Sequence, residues 1–113
     1  MNILEETTSL VTSLGIPVET GVFSESAPDT YCVLTPLSDN FELFGDNMPG
    51  CETQEVRISL YSKNNYLQTK NTLVNALLAA GFTITARQYI AHEDDTKYHH
   101  YMVDIAKIYQ LEG

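Results

Sequence analysis

The chain has 113 residues, enough for one domain and too few for two, and 43% of them are hydrophobic, so a core can be buried without staples. Fifteen acidic residues against six basic ones give a formal net charge of −9. Such a surface repels phosphate backbones and argues against a general nucleic-acid binder. The acids are scattered rather than gathered in a tail, which reads as a solvated surface.

Met1 to Glu6 has neither the basic start nor the apolar core of a signal peptide, and no stretch approaches the roughly 20 apolar residues that span a bilayer. A cytoplasmic protein with no membrane partner is expected. Ile3, Leu4, Thr7, Leu10, Val11 and Leu14 recur at three- and four-residue spacings, which predicts a helix over 3–14. Glu5 and Glu6 suit the positive end of its dipole, Gly15 is a stop, and Pro17 prevents resumption. A strand over 18–23 and a turn-rich link over 24–29 follow. Residues 31–37 read as a strand, which Pro36 should end at a sheet edge.

Phe41 to Phe44 reads as a further short strand, and Gly45-Asp46-Asn47-Met48-Pro49-Gly50 as the strongest loop signal in the chain. Phe41 to Gly50 is expected to project from the sheet. Residues 52–63 alternate cleanly, with Val56, Ile58 and Leu60 on one face and Glu55, Arg57, Ser59 and Tyr61 on the other. Asn64 or Asn65 caps a second helix whose apolar stripe is Leu67, Leu73, Val74, Leu77 and Leu78, and Gly81 ends it.

Residues 82–91 read as a strand with Phe82, Ile84, Ala86, Gln88 and Ile90 on one face and Thr83, Thr85, Arg87 and Tyr89 on the other. After the acidic turn Glu93-Asp94-Asp95-Thr96 comes a closing strand from Tyr98 in which Tyr101, Val103 and Ile105 share a face. A bulge near Ala106 would re-aim Ile108 inward. The order predicts one α+β domain over 1–113, with two helices packed on one face of a mainly antiparallel sheet and a C-terminal β-hairpin.

Catalytic signatures are missing. There is no nucleophile elbow and no phosphate-binding loop with its lysine. Cys32 and Cys51 lack the C-x-x-C spacing, and sequence leaves their pairing open. The sharpest chemical cluster is His92, Glu93, Asp94, Asp95, His99 and His100, which a small metal-binding protein or metal-dependent enzyme would use. Against that, His99 and His100 are strand neighbours and point to opposite faces. Neither a catalytic residue, a metal site nor a cofactor is expected. Seven tyrosines with no tryptophan suit cross-strand packing and also a subunit interface.

The strand Thr53-Gln54-Glu55-Val56-Arg57-Ile58-Ser59-Leu60-Tyr61-Ser62-Lys63, the helix ending Ala79-Ala80-Gly81-Phe82, the acidic turn and Tyr98-His99-His100-Tyr101 occur in order. With Gly15-Ile16-Pro17-Val18 near the start, this pattern resembles the tail-terminator, or tail-to-head joining, proteins of long-tailed bacteriophages and prophages. The resemblance implies a structural protein that is not an enzyme. It would form a ring, often a hexamer, on the tail tube protein and present a surface to neck or connector proteins. It would act in the cytoplasm of the bacterial host and remain in the virion. Phe44, Asp46 and Met48, with Asp94 and Asp95, are the candidate partner-binding residues. A prophage-encoded adaptor that binds another protein by its sheet edge is the competing structural reading.

Overall fold

The computed structural model describes residues 2–21, 27–44 and 48–110, with side chains throughout except at 40–44 and 48–49. Two helices, α1 (Ile3–Ser13) and α2 (Tyr66–Ala79), accompany five strands: β1 (Val18–Thr20), β2 (Thr30–Phe44), β3 (Met48–Ser62), β4 (Thr83–His92) and β5 (His99–Gln110). The sheet order is β1-β2-β3-β5-β4, antiparallel except for the short parallel pair β1–β2. Strands of 15 residues at about 3.3 Å each span about 50 Å. They account for the long dimension of a molecule measuring 54 × 25 × 23 Å. Among the described residues no helix is long and apolar enough to cross a membrane.

Local chemistry sets the helix ends. The Asn2 side chain accepts from the Glu5 amide and the Asn65 side chain from the Gln68 amide, so each helix has an asparagine N-cap. Both helices end in the same motif. Gly15 and Gly81 take φ of 80° and 88°, which disfavours any residue with a Cβ. The following amides, Ile16 and Phe82, then turn back to the carbonyls of Val11 and Leu77. Ile16 with Val11, and Phe82 with Leu77, are all buried, so each turn also closes an apolar contact.

One core cluster gathers Ile3, Val11 and Ile16, the strand residues Cys32, Leu34, Val56, Ile58, Leu60, Tyr101, Val103 and Ile105, and Leu73, Val74, Leu77 and Phe82. The strand members alternate, so they define a core face of the sheet; the intervening residues define a far face. Val56, Ile58 and Leu60 are inaccessible, as the sequence pattern predicts. Leu67 and Leu78, expected in the apolar stripe of α2, are instead 52% and 56% exposed. Leu78 follows Leu77 by one position, which turns it about 100° away from the core. Cys32 and Cys51 are both free thiols, and burial pushes that of Cys32 up to about 12.

Several sequence expectations are corrected. Pro36 does not end its strand, and Phe41 to Phe44 is not a separate one: β2 runs through both. The Cys32 amide donates to Pro17 O at 2.8 Å and the Leu34 carbonyl accepts from Gly21 N at 2.9 Å, so this parity of β2 faces β1. Pro36 shares that parity and lies beyond the end of β1, so its missing N–H costs no ladder bond. Leu37, the residue skipped between Pro36↔Val56 and Ser38↔Glu55, is a bulge. Met48 to Gly50 is strand rather than loop, and β1 is shorter than expected, while residues 22 and 23 lie outside the described residues.

Strand β4 slips register at Thr85 and at Ile90, so its faces differ from simple alternation. Ile84, Arg87, Tyr89 and His92 share the core face, paired with Ile105, Val103, Tyr101 and His99, while Ala86 and Gln88 pair with far-face Asp104 and Met102. The expected bulge at Ala106 is absent: β3 and β5 keep register from Ser62↔His99 to Cys51↔Gln110. Ile108 therefore stays on the far face, 60% exposed. The core-face position goes to Lys107, whose ammonium bonds Glu6 and the Ala80 carbonyl and lies 4.7 Å from the Phe82 ring centroid.

Candidate functional site

The sequence-selected residues fall at two places. Phe44 and Met48 pair with each other at the last rung of the β2–β3 ladder, and their side chains lie outside the described residues, as does Asp46 altogether. What was expected to project as a loop is, for residues 41–44 and 48–50, sheet backbone. Asp94 and Asp95 lie in the connection between β4 and β5. The Asp94 side chain is 94% exposed, with His92 Nδ1 3.4 Å from its carboxylate. The turn is held by its own backbone: Glu93 N–H donates to Tyr98 O (2.8 Å) and Lys97 N–H to Glu93 O (2.7 Å), with Lys97 at φ 68°.

The imidazoles do not converge. His99 sits on the core face with His92 (ring centroids 4.6 Å) and stacks on Tyr66, and its Nδ1 bonds the Tyr89 hydroxyl at 3.0 Å. His100 sits on the far face, stacked on Tyr61 at 4.3 Å. The sheet separates the two adjacent residues, as strand geometry requires. Among the described residues no three of His, Cys, Asp and Glu are grouped to hold a metal ion.

The tyrosines form cross-strand stacks. Tyr31, Tyr61 and His100 are a row of rings on β2, β3 and β5, with Tyr98 packed edge-on against Tyr31 and Tyr61. The Tyr98 hydroxyl donates to the carbonyls of Ala27 and Pro28, and Lys63 covers its ring. The row therefore fastens the segment before β2 to the start of β5. Burial lowers the His100 pKa; nearby Glu93 opposes this and Arg57 adds to it. The His100 Nε2 is buried without a hydrogen-bond partner.

Sequence reading missed two charged contacts. Arg57 and Asp104 make a bidentate pair across β3 and β5 on the far face, at 2.8 and 3.0 Å. On the core face, Lys107 and the Tyr109 hydroxyl both bond the Glu6 carboxylate. Burial works against that charge, but the two bonds and the Lys107 charge outweigh it and hold Glu6 below its ordinary pKa. No periodicity signals such pairs, because their partners are 47 and more than 100 residues apart.

One end of the sheet is unusual. Among the described residues, the β1 pairing stops at Leu34 and the β4 pairing starts at Ala106, and beyond those points the described strands are β2, β3 and β5. Beside the end of β5 lies an open groove of about 460 Å³ lined by Thr53, Gly81, Thr83, Ala106, Lys107 and Ile108. No family model matches the chain, and no curated protein is significantly similar to it.

Proposed function

We propose that this chain is a tail-completion subunit of a long-tailed phage or prophage. It caps the tail tube as a ring and presents a joining surface to the neck. The observation that carries the reading is the place of the resembling segment. The strand 53–63, helix α2 and β5 belong to the body of the molecule rather than to an appendage, with β3 and β5 paired along twelve rungs and the acidic turn leading into β5. Two finer features belong to the same reading: both helices cover one face of the sheet, and β4 and β5 form a C-terminal hairpin whose acidic tip points to solvent. A sheet covered on one face keeps its far face and edges for neighbours. The far face here carries Arg57, Asp104 and the tyrosine row rather than converging catalytic groups.

The protein acts in the host cytoplasm during assembly and stays in the virion. Its candidate contacts are Phe44 and Met48 at one end of the sheet, Asp94 and Asp95 at the other, and Asp46, which lies outside the described residues. Disrupting its gene in the producing cell tests this. Filled heads and unjoined tails should accumulate, and the intact chain supplied in trans should restore joined particles. Normal particles without the chain would refute the function.

A further inference from the structure

We infer that His92 and His99 form a two-imidazole site for one exchangeable divalent transition-metal ion, bound through their Nε2 atoms at the turn end of the β4–β5 ladder. The site is independent of the tail-completion reading. Of the three imidazoles, these two share a face, and they are the last pair of the ladder before the turn. Their ring centroids are 4.6 Å apart, with 42° between the ring planes. Two imidazole nitrogens on one tetrahedral Zn²⁺, each at about 2.1 Å, stand about 3.4 Å from one another. Ring centres 4.6 Å apart are compatible with that span. His100 takes no part, because it lies on the opposite face against Tyr61.

The neighbours of the pair leave the same nitrogen open on each ring. Asp94 Oδ1 lies 3.4 Å from His92 Nδ1, and the Tyr89 hydroxyl lies 3.0 Å from His99 Nδ1. A proton on each Nδ1, directed at those oxygens, leaves the lone pair on Nε2. An oxygen acceptor behind the ring is what orients a metal-bound histidine and raises its basicity as a ligand. Tyr66 of α2 stacks on His99 at 4.8 Å and restrains that ring further. The His92 side chain is 38% exposed, so an ion reaches the pair from solvent.

Charge and ligand type define the occupant. Glu93, Asp94 and Asp95 follow His92 directly and outnumber Lys97, the one lysine of the turn, so the local field attracts a cation. Imidazole nitrogen suits Zn²⁺, Ni²⁺ and Cu²⁺, whereas Mg²⁺ and Ca²⁺ prefer oxygen ligands. Among the described residues no third His, Cys, Asp or Glu completes the set, so water fills the remaining positions and the ion exchanges. Once bound, it ties β4 to β5 by their side chains at the rung next to the acidic turn.

The test titrates the whole chain, stripped of metal with a chelator, with Zn²⁺ in a calorimeter, and follows the histidine ring signals by NMR. One ion per chain should bind. The His92 and His99 rings should shift together and return on adding chelator, while the His100 ring stays in place. Mg²⁺ at the same concentration should move none of them. His92→Gln and His99→Gln should each weaken binding about tenfold or more, and His100→Phe should leave it unchanged. Asp94→Asn should cost about tenfold, as loss of a ligand's supporting partner does, and Asp95→Asn less. No saturable binding, an equal shift at His100, an equal response to Mg²⁺, or full affinity in either glutamine variant would overturn the inference. An Asp94→Asn variant that binds as well as Asp95→Asn would overturn the positioning of His92 by Asp94. Where a variant fails to fold, the ring signals of the wild-type chain decide the outcome.

Discussion

Leu77 and Leu78 are neighbours in α2 with opposite fates, and truncating each to alanine tests the helix register. Leu77 is inaccessible, whereas Leu78 is 56% exposed. Leu77→Ala removes three carbons from the cluster with Ile58, Leu73 and Val103. At about 0.8 kcal/mol per buried methylene the transfer part is about 2.4 kcal/mol. The residual cavity raises the loss to about 3 kcal/mol, inside the 2–5 kcal/mol typical of buried Leu→Ala changes. With an unfolding entropy of about 2.1 cal/mol/K per residue, that loss lowers Tm by about 12 °C for a chain of this length. Leu78→Ala should cost under about 1 kcal/mol, because its side chain is half in water and alanine is the better helix former. Urea unfolding followed by circular dichroism, with m unchanged, reads both values. Equal losses, or a larger one at Leu78, would refute the orientation of α2 and with it the assignment of the core face.

Glu6 is held below its ordinary pKa in the folded chain, so its contribution is complete above about pH 4.5 and is lost as pH falls through the lower folded value. Glu6→Gln should flatten that acid limb in pH-dependent melting, and an unchanged limb would count against the Glu6–Lys107–Tyr109 contact. His100 also has a depressed pKa, so the unfolded chain takes up the proton first. Stability should be full above about pH 6.5 and decline as pH drops through the folded value, and His100→Phe, which keeps the ring on Tyr61, should remove that decline; the same decline in the variant would refute the assignment. Reversing Asp94 and Asp95 to lysine should leave the melting temperature within about 4 °C, since each exposed change rarely exceeds about 0.5 kcal/mol. The same reversal should weaken assembly more at low salt than at high salt, because exposed charges are screened, and indifference at every salt concentration would leave the turn a strand connection only.

The elements were largely legible because their signals are local. Alternation at Val56, Ile58 and Leu60, the cap in Asn64-Asn65, and the stops at Gly15 and Gly81 each act within a few residues. What escaped depends on neighbours in space. Pro36 reads as a strand end until β1 is seen to stop short of it. Ile108 reads as core until Lys107 is found with Glu6 beside it. The faces of β4 cannot be assigned without the two register slips, which leave no mark on composition. For the candidate site, the sequence located Asp94 and Asp95 in an exposed turn, while Asp46 and the side chains of Phe44 and Met48 lie outside the described residues.

The central claim, that the chain completes a tail tube, is tested most directly by adding the purified protein to growing tubes of the tail tube protein encoded with it and imaging them by electron microscopy. A ring of added density at one end of each tube and arrest of growth at that end are expected. Bare tube ends and unaltered growth at saturating protein would contradict it.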